Sequence, residues 1–336
     1  MRRGPFYVAE VSANHNGQFV RAKEIVLAAA SSGASAVKFQ TYKPETMTLP
    51  REDFQVSKGH ALWGGVSLFD LYKTAMTPWE WHKELFDLAK KHGLIPFSSP
   101  FDRSAVDFLE EIGCDLYKIA SLETGDTDLI RYVSETGKPL VISTGASTLT
   151  EIEDALNAAL SGSSTDVTLL LCTSSYPADP KDSHVSRMMT LRERFGVPIG
   201  LSDHTLGIGV SLGAIALGAT VIEKHLTLSR NDGGPDAAFS LEPAEFRSLV
   251  EEGNKVFDSL GSANWTMQPS EEESRKLRRS LFIVTEVRRG DVATRDNVKA
   301  LRPNQGGPIK SLDQILGKKF VADYEPGTAA TLDCVE

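Results

Sequence analysis

Short apolar runs recur along the first three-quarters of the chain, each followed by a longer stretch with helical periodicity. They cover residues 6–11, 36–42, 95–101, 116–121, 139–145, 167–175, 198–204 and 220–227. Most are apolar through the middle rather than alternating, the pattern of strands covered on both faces. Between them, Thr77-Pro78-Trp79-Glu80 predicts a capping box with Pro at the first position of a helix over 79–92. Thr148-Leu149-Thr150-Glu151 predicts a second box, and glycines close helical segments at Gly33, Gly93, Gly113 and Gly196. Eight strand–helix units of this length predict an α/β fold, a (β/α)8 TIM barrel. An open doubly wound sheet is the alternative, but no GxGxxG follows the first strand.

The alternation stops near residue 261, where a stretch containing Ser-Glu-Glu-Glu-Ser reads as a linker. The division predicted is a barrel over 1–262, a linker over 263–279 and a small β-rich domain over 280–336. That last part holds a hidden repeat. Residues 287–298 match residues 324–335 at an offset of 37, sharing Gly, Ala, Thr, Asp and a final Val. Two copies are too few for a solenoid, so a small pseudo-symmetric module is expected.

Composition narrows the class. The chain has 336 residues, 41% hydrophobic and 24% charged, which excludes a disordered chain, a collagen or a coiled-coil rod. No apolar run approaches the roughly 20 residues of a membrane span. The start, MRRGPFYVAEV, lacks the apolar core of a signal peptide. Cys114, Cys172 and Cys334 form no CxxC, so a reducing cytoplasmic setting is expected. The net charge of −9 argues against nucleic-acid binding. An anionic substrate must therefore meet locally placed cations.

Those cations lie where a barrel builds its active site, at the C-terminal strand ends. Glu10 ends the first run, Lys38 and Gln40 share a face of the second, and Ser99 ends the third. Lys118 and Ser121 follow on the fourth, with Glu123 just beyond, and Ser143 on the fifth. Ser174 and Tyr176 close the sixth, Ser202 and His204 the seventh, and Glu223 and His225 the eighth. Burying such charges costs several kcal/mol each, order of magnitude, unless they pair or bind something. Neighbouring strands would hold His204 and His225 about 4.8 Å apart. Two imidazoles with a nearby carboxylate suit Mn, Fe, Co or Zn rather than a Ca or Mg cage. Lys38 and Lys118 with the hydroxyls of Ser99, Ser121, Ser143 and Ser202 suit a phosphate plus a carboxylate. Rival readings are a Schiff-base aldolase using Lys118 or Lys224 and a carbohydrate- or ice-binding protein. The histidine pair speaks against the first, the polar barrel mouth against the second.

The segments AEVSANHNG, VKFQTYKP, PFSSPFD, YKIAS, ISTGAS, CTSSYP, GLSDHT and VIEKH, in this order, resemble the sialic acid synthase family. The tail, with SLFIVTEVRRGD and GTAATLDCV, resembles that family's antifreeze-like (SAF) domain. The resemblance implies a cytoplasmic enzyme condensing phosphoenolpyruvate with the open-chain aldehyde of an amino sugar and water. The product is a nine-carbon α-keto acid, and phosphate leaves by C–O cleavage. SANH, QTYKPETMTL and LWGG resemble the branch whose sugar is 2,4-diacetamido-2,4,6-trideoxy-altrose. The alternative is N-acetylneuraminate or legionaminate synthesis by the same chemistry. A divalent metal is implied on His204 and His225, Mn2+ first, with Co2+ or Mg2+ as substitutes. Glu10 and Glu223 are the implied bases. Lys38, Lys118 and the serines are implied to hold phosphoenolpyruvate, and Gln40, Tyr176 and Asp236 the sugar. Ser174 departs from the family's usual Asn. Arg302 matches an arginine that reaches a neighbouring subunit's site, which implies a domain-swapped homodimer.

Overall fold

Eight parallel strands close into one barrel, in sequential order, in the computed structural model, which describes residues 4–59, 62–164 and 166–336. The strands are β1 (Phe6–Glu10), β2 (Ala36–Thr41), β3 (Ile95–Pro100), β4 (Tyr117–Ile119), β5 (Leu140–Ser143), β6 (Val167–Cys172), β7 (Ile199–Asp203) and β8 (Val221–His225). Several are shorter than the apolar runs suggest. Ser121 lies in a 3-10 turn (Ser121–Glu123), and Ser174 and Tyr176 lie in the loop after β6. The polar ends leave the ladder for the loops at the barrel mouth, where catalytic groups of this fold collect.

Register decides which strand-end residues meet. Glu10 on β1 is level with Lys38 on β2 and with His225 on β8. Gln40 is level with Ser99, and Ser202 with Glu223 and with Cys172. Strand alternation then sorts the side chains into two sets. Phe39, between Lys38 and Gln40, turns to the helices and stacks on Phe86 at 5.7 Å. Asp203 and Lys224, next to His204 and His225 in sequence, pair with each other at 3.0 Å, and both are fully buried. Lys224 also donates to the Thr205 carbonyl at 2.6 Å. It is thereby placed with the structural set, away from the mouth. The apolar core fills the space between strands and helices, with Val26, Phe86, Leu109, Ile130 and Leu249 against Phe97, Tyr117, Ile142 and Ile222.

One predicted cap forms and one does not. Thr148 accepts from Glu151 N–H at 3.3 Å while Thr148 N–H donates to Glu151 Oε2 at 2.7 Å, opening the helix Leu149–Leu160. The helix Trp79–Lys91 instead has Pro78 itself as its N-cap, with no side-chain cap. Thr77 is buried, and its hydroxyl lies 3.4 Å from His15 Nε2, so a tertiary partner takes it from the helix. Gly196 caps the helix Arg187–Phe195 in the left-handed region, at φ 66°.

The chain divides into two units, one ending at Gly261 and one starting at Ser262. In the second, β9 (Ser280–Ile283) and β10 (Val298–Leu301) pair antiparallel. The 37-residue repeat is structural. Its two first residues pair with each other, Val287 N–H donating to Tyr324 at 3.0 Å and Tyr324 N–H to Val287 at 2.9 Å. Gly290 N–H donates to the Phe320 carbonyl and Gly327 N–H to Ile283, each at 2.8 Å. Ala293 and Ala330, and Val298 and Val335, occupy matching buried positions. No helix among the described residues is long and apolar enough to cross a membrane.

Candidate active site

Four buried charges sit at the centre of the barrel mouth. Lys38 Nζ lies 2.6 Å from Glu10 Oε2 and 3.7 Å from Glu223 Oε1. Lys118 Nζ lies 3.9 Å from the same Glu223 oxygen. Lys38 also donates to Ser99 at 3.4 Å, Gln40 to Glu10 at 3.0 Å and Ser202 to Glu223 at 3.1 Å. The carboxylates differ in kind. Burial and the nearby Glu223 hold the Glu10 carboxyl above its ordinary range, although Lys38 works against this. At Glu223 burial acts the same way, but Lys118, Lys38 and the Ser202 hydroxyl outweigh it, so its carboxyl is lowered. Burial lowers Lys118, against the pull of Glu223. For Lys38 the two carboxylates outweigh burial and raise it. Paired groups pushed in opposite directions are the usual arrangement for one proton carrier and one fixed charge.

Beside them is a ring of small donors. Gly145 N–H donates to Ser121 Oγ at 3.2 Å, and the buried Ser143 hydroxyl has no hydrogen-bond partner. A Cβ at Gly145 would run into the Ser174 and Ser121 hydroxyls, so a side chain there would displace them. Ser174 places its hydroxyl in this ring, 3.9 Å from Cys172 Sγ. Such a cluster next to Lys118 has the chemistry of a phosphate cradle.

The imidazoles adjoin this ring through Cys172, whose sulfur lies 3.9 Å from both Ser174 Oγ and His204 Nδ1. The rings of His204 and His225 are 5.3 Å apart between centroids. His204 Nδ1 faces the Thr173 carbonyl at 3.1 Å, a contact that leaves Nε2 its lone pair. Burial disfavours charge on His204, but the adjacent Cys172 sulfur, 3.9 Å from Nδ1, outweighs it and raises the ring's proton affinity. The Cys172 thiol, raised by burial, is brought down to about 7 by the same histidine. His225 is driven well below an ordinary imidazole by burial and then by His204. Its Nδ1 is buried without a hydrogen-bond partner, 4.0 Å from Asp236 Oδ2. A neutral ring with an orphaned nitrogen beside a second ring of fixed tautomer fits a divalent metal of nitrogen preference. Among the described residues no group of three or more His, Cys, Asp or Glu side chains converges on one point that could hold a metal ion.

Asp236 connects this side to Gln40. Its carboxylate accepts from Ser12 Oγ at 2.5 Å and Ala13 N–H at 3.2 Å, and Gln40 donates to Ser12 Oγ at 2.9 Å. Tyr176 lies with its ring 4.5 Å from His204. The barrel thus brings together every strand-end residue singled out from sequence. Arg302, exposed just past β10, belongs to the second unit. Two contributors, Cys172 and Phe239, were not singled out, and Glu123 was noted without a role. Cys172 is one of the apolar strand's own residues and carries no local signal. Glu123 has a carboxyl pushed by burial up to about 7 and a buried Oε2 without a partner. Its place in the turn just after the strand of Lys118 was the cue. Phe239, 4.9 Å from His225, comes from the short 3-10 turn Ala237–Phe239.

Residues 25–264 match the NeuB family and residues 278–336 match the SAF domain. The chain belongs to the NeuB family and carries a SAF domain at its C-terminal end. It is similar to a pseudaminic acid synthase of Helicobacter pylori, 42% identical over 338 residues, with 100% of this chain and 99% of that protein covered. A pseudaminic acid synthase of Campylobacter jejuni (serotype O:23/36) is 36% identical, covering 96% of this chain and 94% of its own length. Among solved structures, an N-acetylneuraminic acid synthetase of Leptospira borgpetersenii in complex with citrate matches with a TM-score of 0.73 at 32% identity. That match covers 81% of this chain and 90% of the other.

Proposed function

We propose that this chain acts as a pseudaminic acid synthase. It condenses phosphoenolpyruvate, water and 2,4-diacetamido-2,4,6-trideoxy-altrose into a nine-carbon nonulosonic acid and phosphate. The observation that carries the reading is one mouth holding three things at once. These are a lysine pair neutralised by two carboxylates, a ring of small donors at Gly145, and the two imidazoles. The choice of sugar follows the relatives, since identity is 42% to a pseudaminic acid synthase and 32% to an N-acetylneuraminic acid synthetase.

Lys38 and Lys118 bind the carboxylate and phosphate of phosphoenolpyruvate, and Ser99, Ser121, Ser143, Ser174 and Ser202 supply further donors. Gln40, Tyr176 and Asp236 orient the open-chain sugar. Carbon 3 of phosphoenolpyruvate attacks the aldehyde carbon, whose oxygen takes up a proton. Carbon 2 becomes cationic in character and adds water; Glu10 accepts the water's proton, solvent supplies the one taken up by the aldehyde oxygen, and the hydroxyl proton of carbon 2 leaves with the phosphate when the ketone forms. Cleavage of the bond between carbon 2 and the phosphate oxygen then leaves a ketone. Glu223 stays charged throughout and steadies carbon 2 and the lysines. His204 and His225 hold the divalent metal, which when bound supplies Lewis-acid polarisation of the aldehyde oxygen. Arg302 of one chain completes the barrel mouth of a second copy in a swapped homodimer. A SAF domain this small gains stability by such docking.

The test incubates the protein with phosphoenolpyruvate, Mn2+ and a panel of amino sugars and reads product masses. The altrose sugar should give the dominant nine-carbon product. Equal turnover of N-acetylmannosamine would replace this reading with N-acetylneuraminate synthesis.

A further inference from the structure

Three consecutive residues of the 3-10 turn after β1 (Ser12–His15) grip Asp236 from two ends. Ser12 Oγ and Ala13 N–H donate to its carboxylate at 2.5 and 3.2 Å. Asn14 reaches its main chain instead. The Asn14 side-chain amide donates to Ser240 Oγ at 2.8 Å, and the Ser240 hydroxyl donates to the Asp236 carbonyl at 2.7 Å. The same amide donates to the Leu226 carbonyl at 3.0 Å, one residue past His225 and the end of β8. Arg21, on the helix Phe19–Ser31, holds the turn from outside. Its Nε donates to the Asn14 carbonyl at 2.7 Å, while its guanidinium reaches Asp232 at 2.6 Å and Thr227 at 3.2 Å. Ser12 itself has a φ of 43°, a left-handed conformation that a residue with a side chain keeps only where its surroundings over-determine it.

We propose that Asn14 is a positioning residue for the amino-sugar half of the site, acting through Ser240 and Asp236. The proposal rests on the function proposed above, in which Asp236 orients the sugar, and adds the residue that fixes where Asp236 stands. Asn14 has no exposed surface, so it acts on a substrate only through the groups it holds. Its amide carries two N–H donors in one plane, and here one goes to the end of β8 and the other to Ser240. The main chain of Asp236 is thereby tied to a barrel strand rather than left to its own loop. The bonds from Ser12 and Ala13 then set the direction of the carboxylate. Gln40 donates to the same Ser12 hydroxyl at 2.9 Å, so both sugar-side groups are aimed from one turn. Such placement matters because a shift of about 1 Å in a group that orients a substrate can cost about 10²-fold in rate. Both acceptors of the Asn14 amide follow β8, whereas Lys38, Lys118 and the serine ring stand elsewhere around the barrel. The phosphoenolpyruvate half should therefore not feel the loss of Asn14.

The test measures kcat/KM for 2,4-diacetamido-2,4,6-trideoxy-altrose and the KM for phosphoenolpyruvate, with sugar binding by calorimetry where turnover is too slow. The proteins compared are the native chain, Asn14→Ala, Ser240→Ala, Asp236→Ala and the Asn14→Ala Asp236→Ala double variant, each with its thermal unfolding. Asn14→Ala should lower kcat/KM for the sugar by about 10- to 100-fold with the phosphoenolpyruvate KM unchanged. Ser240→Ala, which breaks only the branch to Asp236, should go the same way by a smaller factor. In the Asp236→Ala background the Asn14 substitution should have little further effect, because residues acting through one group do not add. A merely structural Asn14 would lower stability and multiply fully with Asp236→Ala. That result overturns the proposal, as does a sugar kcat/KM unmoved in both Asn14→Ala and Ser240→Ala. If Asn14→Ala does not fold, Ser240→Ala, alone and combined with Asp236→Ala, carries the same comparison. A native protein idle on this sugar, or an Asp236→Ala protein with native sugar kinetics, overturns the functional reading instead, so the failures are distinct.

Discussion

Lys38 and Glu10 hold one another at 2.6 Å inside a site with almost no exposed surface. Unpaired, either buried charge would be strongly destabilising, so each stabilises the other. This gives Glu10 and Glu223 different expected phenotypes. Glu10→Gln removes the proposed proton carrier, and kcat should fall by about 10²–10⁴-fold, the usual worth of a general base, with the KM for phosphoenolpyruvate little changed. Glu223→Gln unbalances the lysines and should chiefly alter that KM. Steady-state kinetics on both variants separates the roles, and identical profiles would show that the carboxylates act as one unit. At the imidazoles, His204→Ala or His225→Ala should abolish turnover and also weaken Mn2+ binding followed by calorimetry. Full Mn2+ affinity in the double variant would place the metal elsewhere.

The helix Trp79–Lys91 is tied to the barrel by a neutral histidine. His82 Nδ1–H donates to the Pro78 carbonyl at 3.2 Å, and Nε2 accepts from Thr41 at 2.8 Å. Burial lowers its pKa from 6.5 to about 4. The unfolded chain therefore takes up this proton before the folded one does. The stabilising effect is complete above pH 6.5 and is lost as pH falls toward 4. The slope is at most about 1.4 kcal/mol per pH unit. His82→Gln, which can still donate and accept, should flatten stability against pH across that window in urea titrations, and an unchanged slope would contradict a buried neutral ring. The Asp203–Lys224 pair does comparable work between β7 and β8. Lys224→Met strands a buried carboxylate and should cost about 3–5 kcal/mol by chemical unfolding, somewhat less where Thr205 and Ser211 still donate to Asp203. Elements of this kind were only partly legible beforehand. The Thr148 box formed because no tertiary partner competed for it, whereas His15 drew Thr77 out of its predicted role.

For the molecule as a whole, the proposal that Arg302 serves a second copy has a direct test. A chain ending near residue 276 should keep its barrel and Mn2+ binding yet lose nearly all synthase activity, and Arg302→Ala should reproduce much of that loss. Mixing His225→Ala chains with Arg302→Ala chains then decides the arrangement. In a swapped homodimer one mouth per mixed pair regains both parts, so activity reappears on subunit exchange. A dead mixture of chains shown to exchange would assign the tail to its own barrel.

What the sequence determined by itself was the order and kind of the elements and the residue types at the strand ends. Strands buried on both faces must be apolar, and a polar strand end must be either satisfied or functional. The repeat at an offset of 37 was legible for the same reason, because Ala293 and Ala330 and the two terminal valines fill equivalent core positions. Partnership was left to the tertiary structure. The residue pattern puts Lys224 and Lys118 alike on strands, but strand alternation sends one to Asp203 behind the wall and the other to Glu223 in the mouth. It gives Cys172 no distinction, yet the register of β6 with β7 sets it beside Ser202, and the β7 end brings His204 to it. Contacts between residues far apart in the chain depend on register and barrel closure, which no local run of residues encodes, and through them the same buried charges become either a structural tie or a reactive site.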